Sequence, residues 1–200
     1  MYGFPTERHR RLGELLVGYE PVARVHKVHK VVPPAVSGDP GRGAVELDVL
    51  PQDWDTHWQR LEGGFDLVNR RDRAYLTWRY LVRPGKRYRL MTVPGAAALA
   101  VVGIEQGKAY LMEFLAERGD AQLAHHLLIA VETVARAEGV AEIEGWFPAF
   151  AWESRFLSGP GGFTVAAAEN WLECRLFDRR LSAGWLAEHF YYSLSDFDVF

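Results

Sequence analysis

Three carboxylates and one turn are the residues in this 200-residue chain best placed to do chemistry. Glu113 lies in the apolar run Ala109–Glu117 (AYLMEFLAE). Glu142 and Glu144 lie in the run Ala141–Phe147 (AEIEGWF). All three are candidates for general-base work. Alternation of side chains along a strand sends Glu142 and Glu144 to one face, opposite Ile143. That face either lines a cleft, where the pair could take up a proton, or is the solvent side of the strand. The turn Arg118-Gly119-Asp120 closes the first run, and Ala121, Gln122 and Leu123 open a helix behind it. A helix N-terminus at the carboxyl end of a strand offers unpaired N–H groups and a positive dipole end, which together attract phosphate. Phosphate cradles use several glycines so that the backbone can approach the anion. This turn has one glycine, and Asp120, read as an N-cap, puts a carboxylate on the dipole itself.

These groups depend on a strand–helix–strand unit over 107–147. The helix, roughly Asp120–Gly139, lines up Leu123, Leu127, Leu128, Val131, Val134 and Ala135 on one face. Upstream, a short helix over about Thr6–Leu16 precedes an irregular strand, Val22–Val32. A Pro/Gly/Ser-rich linker covers 33–43. Next come a strand at Ala44–Leu50, a helix opening at Pro51 with Trp54, Trp58 and Leu61 in register, and an amphipathic helix at Arg71–Tyr80 stopped by Pro84-Gly85. Two strands, Lys86–Val93 and Ala96–Glu105, lead into the central unit. A short helix at Pro148–Leu157 follows it. Phe163–Ala168 and Asn170–Phe177 read as a closing antiparallel pair, then a helix at Ser182–His189 and an aromatic tail. Mostly antiparallel strands around one helix-crossed parallel pair make the class α+β.

Composition narrows the functional classes. Lys+Arg 23 against Asp+Glu 26 gives a net charge of −3, so no electrostatic case exists for nucleic acid or an anionic membrane. Cys174 is the single cysteine, which excludes an internal disulfide, suits a reducing cytoplasm and reads as a small core residue. His125 and His126 point to different faces of their helix and carry no metal-ligand spacing, so no metal site is expected. His26 and His29 alternate with Lys27 and Lys30 and read as surface residues. Arg71, Asp72 and Arg79 read as an ion-pair cluster bracing aromatic residues.

Three segments in this order resemble the GNAT superfamily of acyl-CoA-dependent N-acyltransferases, and in particular its bacterial tandem and degenerate branch. They are Arg71-Asp72-Arg73-Ala74-Tyr75-Leu76-Thr77-Trp78-Arg79-Tyr80, the strand–helix–strand unit, and the tail Phe190–Asp198 (FYYSLSDFD). The resemblance covers about three quarters of the chain. It implies a mixed, mostly antiparallel sheet with a splayed parallel strand pair and flanking helices. It divides the chain into a segment 1–32 similar to the tail of a GNAT unit, the linker 33–43 and a GNAT-like domain over 44–200. It also implies acetyl-CoA or another acyl-CoA as cofactor, with a small-molecule or peptide amine as acceptor. Met112, Phe114 and Leu115 would then meet the pantetheine arm. Arg118, Gly119, Asp120, Ala121, Gln122 and Leu123 would face the pyrophosphate, and Glu113, Glu142 or Glu144 would take the amine proton. The family's tyrosine on the helix after the second strand has no counterpart in Pro148–Leu157. A non-catalytic GNAT-fold binding module with a degenerate CoA site stays open as the alternative, as does a homodimer formed through the aromatic C-terminus.

Overall fold

The structure is a computed structural model that describes residues 1–34 and 43–197. Most of the expected linker, and the last three residues of the tail, lie outside the described residues. The chain runs β1 (Tyr2–Gly3), α1 (Glu7–Val17), β2 (Glu20–Val31), β3 (Val45–Leu47), α2 (Trp54–Glu62), β4 (Leu67–Val68) and α3 (Arg73–Leu76). It continues with β5 (Tyr88–Thr92), β6 (Ala98–Glu105), β7 (Lys108–Ala116), α4 (Ala121–Ala137), β8 (Glu142–Trp146), α5 (Trp152–Ser158), β9 (Thr164–Cys174), α6 (Ala183–His189) and β10 (Phe190–Tyr191). Eight strands form one sheet in the order β1-β9-β2-β8-β7-β6-β5-β3, and β10 pairs with β4 beside it. Within the large sheet every pairing is antiparallel except β7 with β8. This is the α+β arrangement that the order of elements predicts.

The core follows from sequence pattern. β6 and β7 are near-continuous apolar runs because both lie in the sheet interior, and Ala98 through Val102 are at most 1% exposed. α4 turns Leu123, Leu127, Leu128, Val131, Val134 and Ala135 inward, the stripe its spacing predicts. Trp54, Trp58 and Leu61 do the same for α2.

Two expectations give way. Phe163–Ala168 and Asn170–Phe177 are not a hairpin: Thr164–Cys174 is one strand, β9, and its main partner is β2. The Ala168–Asn170 stretch is a bulge rather than a turn: three residues of β9 face Val25 alone between the pairs Ala167/His26 and Trp171/Arg24, and β2 carries one extra residue, Val22, between its pairs with Glu173 and Leu172. β2 thus stands between β8 and β9, inside the sheet of the segment that follows it. The amphipathic helix at 71–80 splits. Only Arg73–Leu76 is α-helical, and Thr77–Leu81 widens into a π turn in which the Val82 N–H reaches back to the Thr77 carbonyl at 3.1 Å.

The parallel pair has a built-in limit. β7 and β8 are in register at Ala109/Ile143, Tyr110/Glu144 and Leu111/Gly145 and no further. At that point β7 carries one extra residue, Met112, between its pairs with Val102 and Val101 of β6. A bulge bends and twists its strand, so β7 turns away from β8. Gly145 makes the last contact: a Cβ there would lie 2.9 Å from the Phe147 ring, 3.2 Å from Leu111 Cβ and 3.2 Å from the Leu111 carbonyl oxygen. Gly145→Ala is expected to cost about 1–3 kcal/mol through overpacking. Urea denaturation is the check, and an unchanged midpoint would show that the two strands are not this close.

Candidate active site

Beyond Leu111 and Gly145 the two parallel strands diverge. The segment Met112–Ala116 runs on with β6 on one side and no ladder partner on the other among the described strands. Met112, Phe114 and Leu115 are fully buried, backbone included. Phe114 stacks on Phe156 of α5 at 6.0 Å, and its carbonyl accepts a 3.5 Å contact from the Tyr191 hydroxyl. The open end faces the first turn of α4. Gly119 holds a left-handed φ of 88°, which lets the chain reverse within one residue. Arg118, Gly119, Asp120, Ala121 and Gln122 are exposed and Leu123 is buried. The Asp120 carboxylate accepts from the Leu123 N–H at 2.9 Å, so one donor of the helix terminus is already satisfied from within. Arg118 leaves the turn sideways and lays its guanidinium 4.8 Å over the ring of Phe65.

The candidate carboxylates are not gathered in one place. Glu142 is held by Lys108 at 3.1 Å and His29 at 3.6 Å, and the hydrogen bond and charge of Lys108 lower its pKa. Glu144 lies 3.6 Å from Lys27. Both sit at the paired end of β8, with Glu144 one residue before the strands part. Glu113 instead points into a fully buried cluster. Arg71 Nε approaches its Oε1 at 2.8 Å, a charge contact too poorly angled for a hydrogen bond. Ser193 donates to Oε2 at 2.8 Å and Tyr80 to Oε1 at 3.3 Å. Burial pushes the Glu113 carboxyl up, and Arg71 opposes the shift. The same guanidinium donates to Asp196 at 2.5 Å, to the Asn69 carbonyl at 2.8 Å and to Ser195 at 3.2 Å. Burial works against the charge on Arg71, but Asp196 and Glu113 outweigh it and hold its pKa well above the ordinary value. Arg79 donates to the carbonyls of Ser195 and Phe197, while Asp72 caps α3 by accepting from the Tyr75 N–H.

Sequence reasoning placed Arg71 in a structural cluster but missed both its partners. The tail acid, Asp196, is 125 residues away, and only its SLSD setting, a capping pattern, hints at a fixed position. The tail aromatics Phe190, Tyr191 and Tyr192 are buried within this chain. That removes them as a dimer surface. His26 is not a surface residue either: it is half-buried, with Nδ1 3.0 Å from the Phe147 carbonyl and 3.1 Å from Ser154 Oγ. Cys174 is a core residue. No group of three or more His, Cys, Asp or Glu side chains is placed to hold a metal among the described residues, and no helix of theirs is long and apolar enough to cross a membrane.

A carboxylate that sequence reasoning passed over is Glu153, in the first turn of α5. It is fully buried, and neither oxygen meets a hydrogen-bond partner among the described residues. Burial pushes its carboxyl up to about 7, and the charge of Arg118 opposes the shift.

A GCN5-related N-acetyltransferase from Sphaerobacter thermophilus aligns with a TM-score of 0.51 at 18% identity, over 86% of this chain and 58% of that one. One from Anabaena variabilis gives 0.50 at 9% identity, over 86% and 44%. A conserved protein of unknown function from Enterococcus faecalis gives 0.56 at 12% identity, over 88% and 44%. The fold is that of the GCN5-related N-acetyltransferases. The GNAT chains are longer, and this one spans about half the length of the solved structures it resembles. No protein-family model matches the sequence, and no curated protein matches it either.

Two predictions follow from the buried charges. Arg71→Met strands Glu113 and Asp196 without a counter-charge and is expected to cost about 3–5 kcal/mol. Adding Glu113→Gln and Asp196→Asn should recover part of that loss in urea melts. Glu153 carries the opposite sign. Its folded pKa of about 7 exceeds the unfolded value of 4.5, so the native state binds the proton more tightly. Stability is therefore full below pH about 4.5, falls by a few kcal/mol up to pH about 7 and stays lost above it. Glu153→Gln should flatten that part of the stability–pH curve and be the more stable protein at pH 8. Parallel curves for the two proteins would refute the assignment.

Proposed function

We propose that this GNAT-fold domain transfers an acyl group from an acyl-CoA, acetyl-CoA in the simplest case, to a primary amine on a small molecule or peptide. The observation that carries the reading is the parting of β7 and β8 at Leu111/Gly145, which leaves the backbone of Met112–Ala116 paired with β6 alone and without a ladder partner on the β8 side, along an edge that neighbouring side chains cover in this structure. Buried backbone N–H and C=O groups are rarely left unpaired. An extended, amide-bearing pantetheine arm can pair with such an edge as an added strand would. The backbone at Met112, Phe114 and Leu115 would hold that arm, and the turn Arg118–Leu123 would face the pyrophosphate, although the N–H groups of Asp120, Ala121 and Leu123 already have acceptors within the turn. When bound, the thioester supplies an activated acyl carbon for the amine to attack. Of the three carboxylates, Glu144 suits proton removal best, through water. It lies next to the parting point, 3.6 Å from Lys27, whereas Glu113 is committed to Arg71.

The strand edge fits the cofactor and the turn fits it less well, because the Asp120 carboxylate already occupies the dipole end of α4. That one contact favours a second reading, a non-catalytic GNAT-fold module whose CoA site has lapsed. Calorimetry and thermal shift with CoA and acetyl-CoA separate the two, since a ligand that binds the folded state must raise its stability. Acyl transfer predicts saturable binding. Asp120→Asn, which keeps the cap and removes the charge, should tighten that binding by about threefold to fivefold. If neither protein is stabilised by millimolar CoA, the non-catalytic reading stands.

A further inference from the structure

On the tail side of the sheet, a hollow of about 470 Å³ is walled by Tyr75 and Trp78 and floored by Asn69, Asp72, Ser195 and Asp196. A second hollow of about 300 Å³ adjoins it on Trp78. The indole therefore stands as a fin between two recesses. It is 64% exposed, the extreme among the tryptophans, which are otherwise buried or half-buried. Its display has a backbone cause. Trp78 lies in the π turn Thr77–Leu81, where the wider helix sends Arg79 and Tyr80 into the core and leaves Trp78 outside. π turns of this kind are frequent at functional sites.

The lining states the chemistry it accepts. Each carboxylate already has a guanidinium: Asp72 has Arg70 at 2.9 Å, and Asp196 has Arg71 at 2.5 Å. The hollow is thus neither a cation trap nor an anion trap. A flat apolar indole stands at one side, with Tyr75 6.0 Å from it and tilted by 52°. At the other side is a cluster of acceptors and donors, in which Asn69 Nδ2 donates to Asp196 Oδ1 at 2.6 Å. An uncharged ring with one C–H face and a rim of hydroxyls complements both. The volume lies in the range of small-ligand sites.

We propose that this hollow binds a pyranose ring stacked on Trp78, with its hydroxyls on Asp72 and Asn69. Combined with the acyl-transfer reading, on which this second step rests, the acceptor class is an amino sugar. The floor connects the two sites: Asp196 and Ser195 hold Arg71, and Arg71 holds Glu113 on β7 just past the bulge.

The test uses the full chain and the indole N–H signals of its seven tryptophans in a proton–nitrogen NMR spectrum, with Trp78 assigned from its loss in Trp78→Phe. Glucose, glucosamine, spermidine and a lysine tripeptide are the probes. Glucose and glucosamine should shift the Trp78 signal saturably, with Kd of about 1 mM. Trp78→Ala, which removes an exposed side chain, should weaken the binding by about tenfold or more without changing the melting temperature. No saturable response to either sugar, equal sugar binding by Trp78→Ala, or a response to spermidine or peptide alone would overturn the pyranose site. Sugar binding without CoA binding removes only the acyl-transfer reading. CoA binding without sugar binding removes only the pyranose site.

Discussion

A guanidinium sealed from water holds this domain in one arrangement. Arg71 has no exposed surface, and its two carboxylate partners come from the central strand and from the tail. Charge pairs this deep add little net stability, because desolvation offsets most of the attraction. Their effect is selective: the tail docked one residue out of register would take Asp196 away from Arg71 and the Ser193 hydroxyl away from Glu113, leaving buried polar groups unsatisfied at a cost of several kcal/mol. Tyr80, Ser193, Ser195 and Asn69 fill the remaining hydrogen-bonding positions. The two-residue pairing of β10 with β4, just ahead of Arg71, fixes the tail on the same side.

That commitment decides what the open end of β7 has to offer. Glu113 sits on the diverging strand, where an acid–base residue would be useful, yet it is spent on Arg71. The charge left over is Glu153, on the helix that leaves β8, with no partner and a carboxyl near neutral pH. The two acids illustrate opposite solutions to burial. One stays charged by pairing, and the other, at neutral pH, is divided between its charged and neutral forms.

Much of the fold was legible because it is local. The stripe of α4, the tryptophans of α2 and the apolar runs of β6 and β7 each record their burial in their own period. The turn at Gly119 and the Asp120 cap were equally readable, since capping chemistry involves residues three apart. What escaped was non-local. Nothing in Thr164–Cys174 says that its partner is β2, more than 130 residues earlier, rather than a neighbouring hairpin arm. Glu113 alternates like any strand residue, and only the topology that brings Asn69–Arg71 and Ser193–Asp196 together makes it an interior ion. Glu153 was hidden for a different reason: in a short helix of aromatic and polar residues, period alone does not choose the buried face.

The bulge in β7 and the π turn after α3 both adjoin the Arg71 cluster, and the coincidence has a physical basis. The bulge at Met112 directly precedes Glu113, and the π turn contains Arg79 and Tyr80. An inserted residue disrupts a regular hydrogen-bond ladder, so it persists where a side chain gains enough in return. Here each insertion re-aims polar side chains toward the same buried charge: Glu113 toward Arg71, Tyr80 toward Glu113 and Arg79 toward the carbonyls of the tail. The same two distortions have outward consequences. The bulge separates β7 from β8 and opens the strand edge; the π turn pushes Trp78 into solvent between two hollows. The cluster thus shapes both surfaces on which a ligand could be held. Loss of the cluster would be felt at both, although Arg71 itself is sealed from solvent.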